Sequence, residues 1–372
     1  MALIITEEQK MLKDSATELL SAKAPISQMR ELRDSEYSPF NKKLWEEMVN
    51  MGWTALTVPE NYNGLDFGFV GLGQILEETG RNLSKSPLIS SILLGASALR
   101  LSDNEALKVK LFPGLMEGTS QLALAIQEGK HHQSSIFNTQ AILKGDKYVI
   151  NGSKTMVIDG TTANFFVVVC QVDGNYSLFI VDANSNGIKV SKKILMDSGS
   201  YADIIFKNVE ISAENQLNIK LDGRLLLEQL MTISYSGISA ELLGICKQAF
   251  DITIQYLKER QQFGVIIGTY QALQHRAVIL FSEIELCKSI VLKALQAIDE
   301  NDTNALKYAH LAKAKLCKTA KLVTNEAIQL HGGIGVTDDA DIGFYLKRAR
   351  VAQQLFGDYN YHLDQLAKIK GY

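Results

Sequence analysis

Two stretches combine residue types and spacing that suit a polar ligand. Arg260-Gln261-Gln262-Phe263-Gly264, with Gln271 eight residues beyond Phe263, places a guanidinium, amides and an aromatic ring around a helix break. Such a set could grip an anionic, planar ligand, and a structural corner would use the same residues equally well. His331-Gly332-Gly333-Ile334-Gly335 ends one helical stretch and precedes another. A helix C-cap explains one glycine. Three in five residues also suit close backbone approach to a phosphate or to another chain. Other candidates are weaker. Gly71-Leu72-Gly73 has Leu76 where a dinucleotide fingerprint needs its third glycine, and no βαβ pattern surrounds it. Gly152-Ser153-Lys154 lacks the upstream glycine of a phosphate loop and reads as a strand turn. The six histidines form no metal constellation, and His131-His132 lies in a polar loop open to solvent, with a substrate contact at that rim as the alternative.

The surrounding elements change character twice along the 372 residues. All five prolines fall within the first 113 positions, so residues 1–120 read as helices broken by turns, opening at Thr6-Glu7-Glu8. Residues 121–220 carry short β-rich runs (LALAI, YVI, FFVVV, SLFIV, ADIIF) separated by glycine-containing turns. They predict hairpins in a small antiparallel barrel or sandwich. Residues 221–372 read as a bundle of four helices over 222–260, 269–300, 303–330 and 341–369. The expected fold is therefore multidomain α+β, in the order helical, β, helical bundle.

Composition excludes several classes. With 38 basic and 41 acidic residues the net charge is −3, which gives no surplus for wrapping nucleic acid. Uncharged runs such as Phe165 to Gln171 are far shorter than the roughly 18 to 20 residues of a membrane span. Cys170, Cys246, Cys287 and Cys317 are scattered, as expected of reduced core thiols in a reducing cytosol. The opening MALIITEEQKML has no signal or import pattern, so a cytoplasmic, bacterial-type location is expected.

YLKERQQFGVIIGTYQALQHR resembles the acyl-CoA dehydrogenase signature, in which R-x-x-F-G precedes a Gln eight residues after the Phe. QLHGGIGVTDD resembles that family's Q-x-x-G-G-x-G segment, WEEMVNMGWTALTVPENYNG its N-terminal motif, and INGSKTMVIDG its middle-domain strand. The agreement runs in order over about residues 5 to 369. The resemblance implies FAD between the β domain and the bundle, with the adenosine half reaching a neighbouring subunit. Arg260, Gln262, Phe263 and Gln271 match positions holding the pyrophosphate and adenine portion. Gln329, Gly332 and Gly333 match those closing over it from another chain. Gln127 and Met156, Val157 and Ile158 match segments along the isoalloxazine ring. Met156 stands where a Trp is usual, and Ile158 where Thr or Ser is usual.

The family reaction takes a proton from Cα of a thioester while hydride leaves Cβ for the flavin, and it needs a base at Cα. Most members carry a Glu where Gly357 stands here. A second set carries it 26 residues before the FAD arginine, where Ser234 stands, with Tyr235 in place of a neighbouring Arg. Glu241 is a third candidate. It is the only charged residue between Glu228 and Lys247, and seven residues past Ser234 is 700°, within about 20° of the same helix face. An apolar setting would raise its pKa, as a base requires. A cross-bundle ion pair is the competing role, and Asp358 is a weaker candidate base.

VIDGTTANFFVVV, HGGIGVTDDADIGFYLKRA and LFGDYNYHLDQLA resemble the branch acting on steroid side chains and other bulky acyl-CoAs, some of which pairs two different subunits. The implied activity is α,β-dehydrogenation of an acyl-CoA with electrons passed to an electron-transfer flavoprotein. The implied assembly is a homodimer, homotetramer or hetero-oligomer. The alternatives are a catalytically incomplete FAD-binding subunit, or a flavin oxidase or monooxygenase on the same scaffold. Small residues of the first bundle helix (Ser234, Ser236, Gly237, Ser239, Ala240) suit either a wide acyl group or close helix packing.

Overall fold

The computed structural model describes residues 3–35, 39–132 and 137–372. The first third is helical: α1 (Glu7–Lys23), α2 (Ile26–Asp34), α3 (Lys42–Asn50), α4 (Gly68–Asn82), a π-helix over Leu88–Ala96, α5 (Ser97–Leu101) and α6 (Glu105–Met116). Thr6 starts α1 through a capping box, accepting from the Gln9 amide at 3.2 Å while its own amide donates to Gln9 Oε1 at 3.0 Å. Gly71 to Gly73 lie inside α4, which removes the dinucleotide-loop reading.

Seven strands follow: β1 (Leu122–Ala125), β2 (Gln140–Lys144), β3 (Lys147–Ile158), β4 (Phe165–Val172), β5 (Asn175–Asp182), β6 (Ile188–Lys193) and β7 (Tyr201–Ser212). They form one sheet rather than a set of hairpins alone. Its path is β1-β4-β2-β3-β7-β6, with β5 also on β4. The β1 to β4 pairing is parallel, a difference from the all-antiparallel expectation. Strands β1 and β2 share one edge of β4 because β2 meets it only at Gln140 and Gln171. One face buries Ile150, Val157, Phe166, Val168, Phe179, Ile204 and Phe206.

The C-terminal third holds α7 (Gly223–Glu259), the short hairpin β8 (Gln261–Gln262) and β9 (Val265–Ile266), α8 (Gln271–Asp299) and α9 (Ala305–His331). The fourth expected helix is two, α10 (Ile342–Gln354) and α11 (Tyr359–Lys370). The break is a backbone event: Phe356 and Gly357 have φ of 58° and 104°, conformations no helix contains.

Two compact units divide within α7. One comprises Met1–Asp34, Gly73–Ser84 and Tyr235–Tyr372, the other Ser35–Leu72 and Lys85–Ser234. In the first, α4 and α7 touch backbone to backbone: a Cβ on Gly244 would lie 1.8 Å from the Glu77 carbonyl oxygen. There the small residues of α7 serve close packing. Beside that contact Glu77 accepts from Lys13 at 2.8 Å and Lys247 at 2.5 Å. Burial alone would raise this carboxyl, but the two lysines hold it below the usual carboxylate range. In the second unit, Asn104 caps α6 and its amide donates at 2.8 Å to the carbonyls of Glu214 and Gln216, tying helix to strand end. Cys170, Cys246, Cys287 and Cys317 are all buried and free.

Candidate active site

In the bundle unit, the Arg260 to Gln271 stretch is a tight corner. The β8–β9 hairpin turns through Phe263 and Gly264, with φ of 54° and 79°, two successive left-handed residues as a type I′ turn needs. The turn pushes the Phe263 ring out to 91% exposure. Arg260, Gln262 and Gln271 are exposed around it, and Gln271 is the first residue of α8. Gln329 is exposed on the last turn of α9, and Gly332 and Gly333 follow it. A Cβ on either glycine would meet nothing within 4 Å, so the backbone there is open to close approach. Tyr256 joins the two stretches. Its ring stacks on His331 at 4.4 Å, and its hydroxyl donates to the His331 carbonyl at 3.2 Å.

Glu241 lies on α7 and is 6% exposed. Arg348 of α10 grips it with a two-point fork, Nε to Oε1 at 2.8 Å and Nη2 to Oε2 at 2.8 Å. Both oxygens are thus engaged by one guanidinium, the geometry of a structural pair. The cross-bundle ion pair is the role this geometry supports for Glu241. Asp358 caps α11, its carboxylate accepting from the Tyr361 amide at 2.9 Å.

Tyr361 and Lys313 both adjoin Gly357. Tyr361 lies over Gly357 and its hydroxyl oxygen is 3.4 Å from that of Tyr235. His310 and His362 face each other Nδ1 to Nδ1 at 2.8 Å. Lys313, fully buried, donates to the carbonyls of Gln353 at 3.1 Å and Gly357 at 3.0 Å. A signal for Lys313 existed: it shares a helix face with Ala309, Leu316, Cys317 and Ala320, all buried, where a lysine is out of place unless carbonyls receive it.

Burial takes His310 down to about 4 and lowers His331 as well. An unfolded histidine titrates near 6.5, so between about 6.5 and 4 the unfolded chain binds more protons and stability falls as pH falls. The urea midpoint is expected to be level above that window and to decline through it. His310→Gln should flatten the decline; an unchanged slope would show that other groups cause it.

In the sheet unit, Gln127 spends its amide on its own loop, donating to the carbonyls of Gly129 at 2.9 Å and His131 at 2.6 Å. The Gln127 backbone carbonyl accepts from the Thr155 backbone amide at 2.7 Å. His131 is exposed, while His132 lies 3.1 Å from Gln127 Oε1. Met156, with φ of 57°, sits in a bulge between Lys154 and Val157. Its amide points at Asp203 Oδ1, 3.4 Å away. Val157 turns its side chain into the sheet core, so only its backbone can face a ligand, whereas Met156 and Ile158 are partly exposed. Lys154 is a buried partner of Glu128 at 2.7 Å, not a phosphate-loop lysine. Burial raises Asp203, but Lys193 and Thr155 outweigh it and hold this carboxyl below its usual range. Among the described residues no His, Cys, Asp and Glu cluster could hold a metal, and no helix is long and apolar enough to cross a membrane.

Three family descriptions match in chain order: the acyl-CoA dehydrogenase N-terminal domain over residues 6–119, the middle domain over 125–209 and the C-terminal domain over 223–370. The chain belongs to the acyl-CoA dehydrogenase family. It is similar to a cyclohex-1-ene-1-carbonyl-CoA dehydrogenase of Geobacter metallireducens, at 28% identity over 94% of each chain. It is also similar to the caffeyl-CoA reductase-Etf complex subunit CarC of Acetobacterium woodii, at 26% identity over 93% of each. Among solved structures, a steroid ACAD variant (Tcur3481-Tcur3483) superimposes with a TM-score of 0.91 at 26% identity, covering 98% of both chains. The protein is accordingly an acyl-CoA oxidoreductase with helical N- and C-terminal regions and a sheet domain between them in the sequence.

Proposed function

We propose that this chain binds FAD and oxidises the Cα–Cβ bond of an acyl-CoA thioester, passing the electrons to an electron-transfer flavoprotein. The observation that carries the cofactor is the exposed corner of Arg260, Gln262, Phe263 and Gln271. One guanidinium suits a pyrophosphate, and two amides with an aromatic ring suit an adenine. Bound FAD would supply a two-electron acceptor for the hydride; binding, orientation and proton handling fall to this chain. Gln127 with the bulged Met156 to Ile158 backbone supports the ring, and Gln329, Gly332 and Gly333 serve a neighbouring copy. The relative from Acetobacterium is named as part of an Etf complex, which supports that class of acceptor. Val278, Ile279, Phe281 and Leu286 are exposed along α8 at 52 to 61%, as a multi-subunit assembly would use. Buried free thiols fit a reducing cytoplasm.

A second reading has one specific observation behind it: neither Gly357 nor Ser234 can act as a base, and Glu241 is held by Arg348. The chain would then be the FAD-binding subunit of an assembly whose partner brings the carboxylate.

The test is anaerobic flavin bleaching by a panel of short, branched and steroidal acyl-CoAs, with the chain purified alone. Bleaching supports the first reading; flavin retention without bleaching, followed by activity on adding a partner, supports the second. Arg260→Ala is expected to weaken flavin retention at least tenfold, the worth of one charge-assisted bond at about 1.5 to 3 kcal/mol. Full occupancy on dilution would remove Arg260 from the cofactor site.

A further inference from the structure

A cavity of about 380 Å³ opens in the bundle unit between the N-terminal segment, α1, α4, α7 and α8. Its walls are aliphatic: Ile4, Ile5, Leu243, Val291, Leu292 and Leu295. The segment that forms one wall is held by Gln296 of α8, whose Nε2 donates to the Ile4 carbonyl at 3.2 Å. Close approach of α4 to α8 sets the floor, since a Cβ on Gly73 would lie 2.3 Å from Cδ1 of Leu295. The volume falls at the lower end of the roughly 300 to 1,000 Å³ of small-molecule sites. No residue of the proposed FAD corner lines it.

One polar group there is unanswered. Gln74 of α4 lines the cavity at 7% exposure, and among the described residues its side-chain amide has no hydrogen-bond partner. Buried amides are normally paired. The charges beside it are already matched: Lys13 pairs with Glu77 at 2.8 Å and Lys288 with Glu285 at 2.9 Å. A charged head group would therefore meet a like charge next to each opposite one. No aromatic ring lines the cavity, so nothing in it stacks on a planar heterocycle. The Gln74 amide offers donor and acceptor in one plane, and its complement is a second amide, which supplies one of each.

We propose that this cavity binds a small aliphatic amide, with its hydrocarbon part along Ile4, Leu243 and Leu292 and its carbonyl and N–H paired with the Gln74 amide. The site is separate from the FAD corner and does not rest on the acyl-CoA reading above. Burial of the hydrocarbon supplies affinity, and Gln74 supplies the choice among head groups. A carboxylate of equal chain length only accepts hydrogen bonds, so it leaves the Gln74 carbonyl unanswered and brings a charge into a site whose own charges are matched. A bound amide also lies between the N-terminal segment and α8, on the side where Gln296 already ties the two.

Octanamide and octanoate are titrated into the full chain by isothermal titration calorimetry, before and after substitution. Octanamide should bind about tenfold more tightly than octanoate, the scale of the hydrogen bonds that distinguish them. Gln74→Leu should erase that preference and keep the melting curve. Ser289→Trp, at an exposed position on the cavity wall, should fill the space and weaken octanamide by at least about tenfold. Four results would each overturn the proposal: no octanamide binding at millimolar concentration, undiminished binding in Ser289→Trp, octanoate bound as tightly as octanamide, or the same preference in Gln74→Leu. Absent binding together with a smaller oligomer in Ser289→Trp would overturn it in favour of a second copy filling the cavity. Should Gln74→Leu fail to fold, undiminished binding in Ser289→Trp or the octanoate result still overturns it.

Discussion

Glu241→Gln is expected to destabilise the fold by about 3 kcal/mol or more, the cost of leaving a buried partner charge uncompensated. Rate per folded site should stay within about twofold of the unmutated chain. The reasoning starts from the fork between Arg348 and both carboxylate oxygens, with side-chain exposures of 16% and 8%. Removing one charge leaves the Arg348 guanidinium with a weaker acceptor in a water-poor setting. Replacing both members by apolar residues of similar size, Glu241→Leu with Arg348→Met, should recover much of the loss, because the penalty lies in the unpaired charge. Urea unfolding and α-proton exchange on the same preparations separate the two roles. Exchange lost by 10² or more with stability intact would return Glu241 to the position of base.

The course of Glu241 shows how far residue spacing reaches. Its apolar neighbours marked Glu241 as the one charge in its stretch of α7, and the residue is buried, because burial follows from neighbours such as Ile238, Leu242 and Leu243 on the same element. Its partner Arg348 lies 107 residues away, and one sequence offers no signal for a contact at that separation. The order of helical, β and bundle parts was legible from proline placement and period, since both act within a few residues. Two features were not. The parallel β1 to β4 pairing depends on strands far apart in the chain. The break between α10 and α11 depends on Phe356, a residue with no local preference for positive φ. Lys313 stabilises that break from another helix by collecting its carbonyls. That Tyr361 covers Gly357 was not legible, because packing across the turn decides it.

Placing a carboxylate at position 357 by Gly357→Glu is therefore expected to damage the fold rather than supply a base. At φ of 104° a side chain is strained wherever it points, at about 1 to 3 kcal/mol. Its Cβ would also lie 2.3 Å from the Tyr361 ring, and overpacking of this kind adds about 1 to 3 kcal/mol. Gly357→Ala should show most of that loss, because the strain and the overlap both begin at Cβ. Adding Tyr361→Ala to Gly357→Glu removes the overlap and leaves the backbone strain, so stability should return only in part. The double variant also tests where position 357 points. If exchange of the α proton of an acyl-CoA is gained in the double variant over Tyr361→Ala alone, the new carboxylate reaches the thioester. A Gly357→Glu chain with unaltered stability would mean that Tyr361 does not cover this turn.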